Sequence, residues 1–118
     1  MVVMNKKVTH GLTEQQLTIM KQILSPFAEK IDQVDLFGSR AQGNPRPNSD
    51  IDLVLQGNID EKTADRIWTL FNESRLALKV DLLVYDQVNP ALKKHIDLVK
   101  LPLFTRKDLL PGSPETLT

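Results

Sequence analysis

The 118-residue sequence contains no cysteine. This absence excludes disulfide bridges, thiolate metal sites and a cysteine nucleophile. The chain also has no excess charge of one sign, because 15 basic residues balance 15 acidic ones. Proteins that bind nucleic acid tightly on their own are usually basic, so this balance argues against that function. Local basic clusters could still hold a small phosphate ligand.

Long hydrophobic runs are missing as well. The apolar stretch at the amino terminus, MVVM, is far too short for a signal peptide or a membrane span. We therefore expect a cytoplasmic protein with no membrane partner. Hydrophobic residues make up 41% of the chain and charged residues 25%, which is ordinary for a soluble globular domain. The length suits one compact domain but not two.

Helix and strand signals alternate along the chain. They predict helices from Thr13 to about Leu24, over about 61–76 and over 90–99, and strands at QVDLFG (33–38), DIDLVLQG (50–57) and KVDLLVYD (79–86). The mostly apolar third strand suggests burial on both faces. KLPLF (100–104) predicts a short edge strand, because Pro102 cannot donate to a neighbouring strand. We expect an α/β (α+β) domain over residues 1–104, with helices packed on a small mixed sheet, and a poorly ordered tail over 105–118.

Two aspartates open the second strand, within the segment FGSRAQGNPRPNSDIDLVL (residues 37–55). Side chains two apart in a strand point to the same face, about 6.5–7 Å apart at Cα, so Asp50 and Asp52 emerge together while Ile51 faces the core. Two carboxylates this close repel each other and resist ionisation unless a cation sits between them. Magnesium prefers carboxylate and phosphate oxygens. We therefore predict a magnesium site at this pair.

A glycine turn precedes the aspartates. Phosphate groups favour backbone N–H groups at a helix start, a glycine that permits close approach and a hydroxyl, and Gly38 with Ser39 supplies this type of site. Arg40 and Arg46 are nearby cations for polyphosphate oxygens, although loop arginines are more often simply solvated. The segment fits neither a calcium-binding EF-hand loop nor a P-loop.

Two-metal phosphoryl or nucleotidyl transfer needs a further carboxylate. Asp81 is the best candidate because it opens a strand, as Asp50 does, and we predict it as the third ligand. Asp86 has the opposite parity and points to the other face. The alternative for Asp81 is a surface ion pair, for example with Lys79. The two histidines are too scattered for a metal pair, and Trp68 is expected to be a packing residue.

The central motif resembles a known family. Gly38-Ser39, ten residues and Asp50-Ile51-Asp52 match the Gly-Ser-x10-Asp-x-Asp signature of the polymerase-beta-like nucleotidyltransferases. From about Leu12 to Phe104, the chain is similar to their minimal members, the MNT group. The resemblance implies a palm-like nucleotidyltransferase fold and ATP as the nucleotide substrate. It also implies two magnesium ions on three catalytic aspartates and a bound triphosphate. The matching residues here are Asp50, Asp52 and Asp81 for the metals and Gly38 and Ser39 for the triphosphate, and Arg40 stays a candidate phosphate contact from its residue type and position.

Minimal nucleotidyltransferases of this size resemble one half of a two-gene toxin–antitoxin system. In such systems the partner is a HEPN-domain RNase toxin, and the MNT antitoxin neutralises it by transferring AMP from ATP to a tyrosine hydroxyl. The resemblance therefore implies a magnesium-dependent protein adenylyltransferase that forms a hetero-oligomer with its target. Two alternatives stay open: a non-catalytic antitoxin that masks its partner, and transfer to a small molecule such as an aminoglycoside, or to RNA.

Overall fold

Four strands form one sheet with helices packed on it. The computed structural model describes residues 10–43 and 49–110. Strands β1 to β4 span Ile31–Phe37, Ile51–Gly57, Val80–Val84 and Leu101–Thr105. Helices α1 to α5 span Glu14–Leu24, Gly38–Ala41, Glu61–Asn72, Pro90–Val99 and Arg106–Leu109, and 3-10 helices span Ser25–Lys30 and Tyr85–Gln87. Within the described ranges, none of these helices has the length and apolar character needed to cross a membrane.

The helix ends follow local chemistry. At the start of α1, the Thr13 hydroxyl accepts from the backbone N–H of Gln16, and the Gln16 side chain accepts from the N–H of Thr13. Pro26 stands just beyond the last turn of α1, because a proline cannot continue a helix. α3 ends at Asn72, earlier than predicted, and the chain soon turns through Ala77 with a positive φ of 64°.

The sheet has the strand order β3-β2-β1-β4. β1 runs antiparallel to both β2 and β4, whereas β2 and β3 are parallel. The predicted mixed sheet and the edge position of β4 are therefore confirmed. β3 forms the other edge, and Leu82 and Leu83 are only half-buried, so the expected burial of this strand on both faces is wrong. An edge strand has a neighbour on one side only.

The two faces of the sheet carry different layers. Residues of α1, α3 and α5 pack on one face with alternate strand residues: Met20, Leu24, Ile67, Phe71, Leu109, Val34, Leu36, Leu53 and Leu55. α4 lies on the other face, where the rings of Phe37 and His95 meet edge to face at 5.6 Å. The side chain of Asp52 shares this second face, because it alternates with Leu53 along β2.

The packed domain extends past the predicted boundary at residue 104. The Thr105 side chain accepts from the backbone N–H of Asp108 and caps α5. Leu109 is 2% exposed, and its carbonyl accepts a 2.7 Å hydrogen bond from the Ser25 hydroxyl. The expectation of a poorly ordered tail is therefore wrong for residues 105–110, because one well-placed leucine anchors the segment. Residues 111–118 lie outside the described part of the chain.

We expect Leu109→Ala to lower the free energy of unfolding by about 2–5 kcal/mol, because it removes a buried side chain and leaves a cavity between α1 and the sheet. Leu110→Ala is the matched control and should cost less than about 1 kcal/mol, since Leu110 is 39% exposed. Chemical denaturation measures both values. Equal effects of the two substitutions would contradict the placement of α5 in the core.

Candidate active site

Three side chains form a row across strands β1, β2 and β3 near one end of the sheet. The strand registers pair Phe37 with Asp52 and Asp52 with Asp81. Paired residues on adjacent strands lie about 4.8 Å apart and point to the same face. The predicted proximity of Asp52 and Asp81 is thus confirmed, and it depends on the parallel pairing of β2 and β3. Their role as metal ligands stays a prediction.

The glycine turn lies directly against this row. Gly38 follows β1 with a φ of +73°, and a Cβ atom at this position would stand 2.5 Å from Oδ2 of Asp52. Only glycine permits both the backbone conformation and this close approach. Ser39 comes next, at the exposed start of the short helix α2. The candidate phosphate-binding turn and the carboxylates therefore form one continuous surface.

The electrostatics of Asp52 reflect its neighbours. Partial burial raises the pKa of the Asp52 carboxyl group above its ordinary value, and the negative charges of Asp81 and then Asp50 raise it further. The positive charge of Lys79 acts in the opposite direction. A cation bound at this point would relieve the same repulsion, so the donor set fits a hard divalent ion with oxygen ligands.

Asp50 lies beside the pair rather than within it. It precedes β2 and is exposed, while the backbone N–H of the next residue, Ile51, donates to the carbonyl of Lys79 at 2.8 Å. Across residues 10–43 and 49–110, no three His, Cys, Asp or Glu side chains lie close enough together to hold a metal ion. Asp52 and Asp81 thus form the core of the candidate site, and Asp50 influences it through its charge.

Of the two arginines predicted as candidate phosphate contacts, the structure describes only Arg40. The side chain of Arg40 is 1% exposed; its Nη1 donates to the carbonyl of His10 at 2.8 Å and its Nη2 to the carbonyl of Ser49 at 2.9 Å. These donors bind backbone, so the expected phosphate contact of Arg40 is not supported. Arg40 instead supports the residue that precedes Asp50. Arg46 lies outside the described residues.

The sequence did not predict that two further residues, Trp68 and His95, lie at or beside the site. Trp68 was expected to pack in the core, yet it is 46% exposed and lines a cavity of about 460 Å³ together with Asp52 and Asp81. The ring of His95, which the sequence does not connect with the site, contacts Phe37. The helical position of Trp68, next to buried Ile67 and off the apolar stripe of α3, is the one local signal for its exposure.

Comparisons with known proteins agree with this geometry. The family model described as "Polymerase beta, Nucleotidyltransferase" matches residues 12–109. The chain belongs to this nucleotidyltransferase family. Its matched region ends at the buried Leu109, where the packed part of the fold also ends. As a member of the family, the chain carries a nucleotidyltransferase domain.

One curated relative is the "Probable protein adenylyltransferase MntA" of Haemophilus influenzae strain Rd. It is 35% identical over 74 residues, which cover 61% of this chain and 64% of that protein. The chain thus spans less than two thirds of the length of this relative.

Solved structures of toxin–antitoxin complexes have the same fold. A complex with AMP-PNP aligns with a TM-score of 0.63 at 23% identity, covering 75% of this chain and 73% of that one. An MntA–HepT complex aligns with a TM-score of 0.59 at 20% identity, covering 82% and 77%. At this level of identity the likeness supports the nucleotidyltransferase fold.

We expect Gly38→Ala to disrupt the site, because the new Cβ would displace the Asp52 carboxylate. Binding of an ATP analogue, measured by calorimetry, should weaken at least about tenfold, and the positive φ should cost about 1–3 kcal/mol of stability. Gly11→Ala is the control for backbone strain alone, since Gly11 also has a positive φ, of 77°. Equal losses of nucleotide affinity in both variants would count against a specific role for Gly38.

Asp52→Asn should raise the thermal stability of the metal-free protein at about pH 7. The pKa of Asp52 is higher in the folded protein than in the unfolded chain, so the folded protein binds this proton more tightly. At a pH above the pKa of the unfolded chain, the ionised carboxylate therefore lowers the free energy of unfolding. The advantage of the variant should shrink as the pH falls through this raised pKa. Thermal unfolding in a chelator tests this, with the exposed Asp86→Asn as control. A lower melting temperature for Asp52→Asn would refute the electrostatic account.

Proposed function

We propose that this chain is a protein adenylyltransferase antitoxin that transfers AMP from ATP to a tyrosine of a HEPN-domain toxin. The observation that carries the proposal is the contact of Gly38 with Asp52, which in turn pairs with Asp81. This close approach supports the assignment of Gly38 and Ser39 as a phosphate-binding turn beside the two carboxylates. We assign the reaction to the cytoplasm, in keeping with the sequence.

The comparisons add support of a coarser kind. The relative from Haemophilus influenzae is named an adenylyltransferase, and the structures with the same fold are toxin–antitoxin complexes, one of them with AMP-PNP. Tyrosine as the acceptor and HEPN as the partner class come from the motif resemblance.

Asp52 and Asp81 are the residues that would hold magnesium, with the negative charge of Asp50 beside them, and the wider family has two such ions. Bound magnesium would neutralise charge on the phosphates and on the attacking oxygen. The oxygen-only donor set and the raised pKa of Asp52 both fit such a cation.

The chain's own residues have separate tasks in the proposed reaction. The Gly38 and Ser39 turn binds the β- and γ-phosphates through backbone N–H groups and the serine hydroxyl. The acceptor oxygen forms a bond to the α-phosphorus, the bond from this phosphorus to the bridging oxygen breaks, and pyrophosphate leaves on the side of the turn. Asp81 accepts the proton of the acceptor hydroxyl at a carboxylate oxygen.

The test uses the purified chain, ATP labelled at the α-phosphate, magnesium and the HEPN-domain protein encoded beside it. We expect label on the partner, a mass gain of whole AMP units, and silencing of excess toxin by catalytic amounts of the chain. Asp52→Asn and Asp81→Asn should each slow transfer by at least about 100-fold, because loss of even an indirect metal contact costs about 10–100-fold.

Asp86→Asn is the matched control and should retain full transfer, since Asp86 lies in the 3-10 helix beyond β3. Silencing that needs equimolar chain and no ATP would instead establish the masking antitoxin. Label on a small molecule or on RNA, with none on the partner, would refute the protein acceptor.

A further inference from the structure

The strand order places the Gly38 turn and Asp81 on opposite sides of Asp52. What we infer from this arrangement rests on the proposed function. β2 carries Asp52 between β1, which ends at the Gly38 turn, and β3, which carries Asp81. In nucleotidyl transfer, the attacking and leaving oxygens lie roughly in line on opposite sides of the α-phosphorus. If pyrophosphate leaves toward the turn at β1, the acceptor must approach from the side of β3.

A cavity extends from Phe37, at the end of β1, to this side of the site. Its volume is about 460 Å³, within the range of about 300–1,000 Å³ typical of ligand pockets. Asp52 and Asp81 are the polar residues of its lining. The apolar residues are Phe37, Leu53, Leu82, Leu83 and Trp68, and Trp68 lies at the β3 end. The cavity thus connects the carboxylates to the edge of the sheet.

Trp68 is the unusual member of this lining. Its side chain is 46% exposed although its neighbours in sequence and on the stripe, Ile67 and Phe71, are buried. A large exposed aromatic side chain at a pocket is typical of a binding residue, since tryptophan is enriched among the residues that dominate binding energy. The other large exposed apolar residues of the described chain, Leu98 and Leu110, do not line the cavity.

The edge strand favours a polypeptide as the occupant. β3 pairs with β2 on one side, so the backbone groups on its other side are available to an extended peptide. The apolar lining suits an aromatic ring whose hydroxyl reaches the carboxylate end. The phosphates are assigned to the Gly38 turn, so the β3 end of the cavity is the part that is left for the acceptor.

We propose that Trp68 is an acceptor-specificity residue and that the tyrosine-bearing segment of the partner protein docks in this cavity. The tyrosine ring lies against Trp68 and Leu83, which shares a face of β3 with Asp81, and its hydroxyl lies beside Asp81. Trp68 contributes to the choice of the acceptor, and the aspartates carry out the transfer reaction.

The first test is a comparison of variants. Trp68→Ala should raise the KM for the HEPN-domain partner and weaken its affinity about tenfold or more, with kcat and the affinity for an ATP analogue changed less than about twofold. Trp68→Phe should retain most of the affinity. Leu98→Ala is the matched control, because Leu98 is 81% exposed and lies on α4, away from the cavity. Equal behaviour of Trp68→Ala and Leu98→Ala would overturn the inference.

The second test uses the fact that the chain has a single tryptophan. Tryptophan-free peptides that cover each tyrosine of the partner are titrated while the emission of Trp68 is followed. One peptide should shift the emission to shorter wavelength, whereas the ATP analogue alone should not. The inference would be contradicted if the analogue alone shifted the emission, or if none of the peptides did.

The two proposals fail separately. If the wild-type chain binds the partner but transfers no AMP, the proposed function fails, and the binding and emission measurements still decide the role of Trp68. If transfer occurs and Trp68→Ala is unaffected, the adenylyltransferase proposal stands and the acceptor site lies elsewhere.

Discussion

The close approach of Gly38 to Asp52 is the constraint on which the rest of the site depends. It requires a residue without a side chain, a positive φ and a carboxylate at the matching register of β2. The same carboxylate is half-buried among two like charges, which is unfavourable without a cation. The packed core on the opposite face of the sheet offsets that cost. The site is thus electrostatically strained by its own residues, as is common where a ligand completes the charge balance.

A second polar group lies on the face of the sheet that carries the site. Asp35 of β1 is fully buried, and its carboxylate accepts from the side-chain amides of Gln33 and Gln56, both at 2.6 Å. Lys100, just after α4, stands 4.0 Å from the same carboxylate. A buried carboxylate is tolerated when hydrogen bonds and a counter-charge replace water. This cluster therefore links the floor of the sheet to the end of α4, whose His95 covers the neighbouring Phe37.

Much of this organisation was predictable from local sequence. Strand parity predicts that Asp52 points away from the core while Ile51 faces it, as the structure has them. The glycine turn follows from residue types that are adjacent in the chain. The burial and hydrogen bonds of Arg40 were not predictable in this way. Its side chain donates to the carbonyls of His10 and Ser49, which precede and follow it in the chain and are brought together only by the fold. The exposure of Trp68 and the burial of Asp35 depend on which strand lies at the edge. Propensity does not specify that choice, because it follows from the parallel crossover between β2 and β3 through α3.

The edge position of β3 offers a surface on which a partner protein could bind. A strand with a free side and half-buried leucines is a liability for an isolated domain, since such edges invite pairing with other chains. Here the free edge is the strand that carries Asp81. On the proposed function, a partner that covers this edge would bury Trp68 and Leu83 and bring its hydroxyl to the carboxylates at the same time. The exposed edge that weakens the isolated domain is then also the surface that aligns the acceptor with the Gly38 turn across β2.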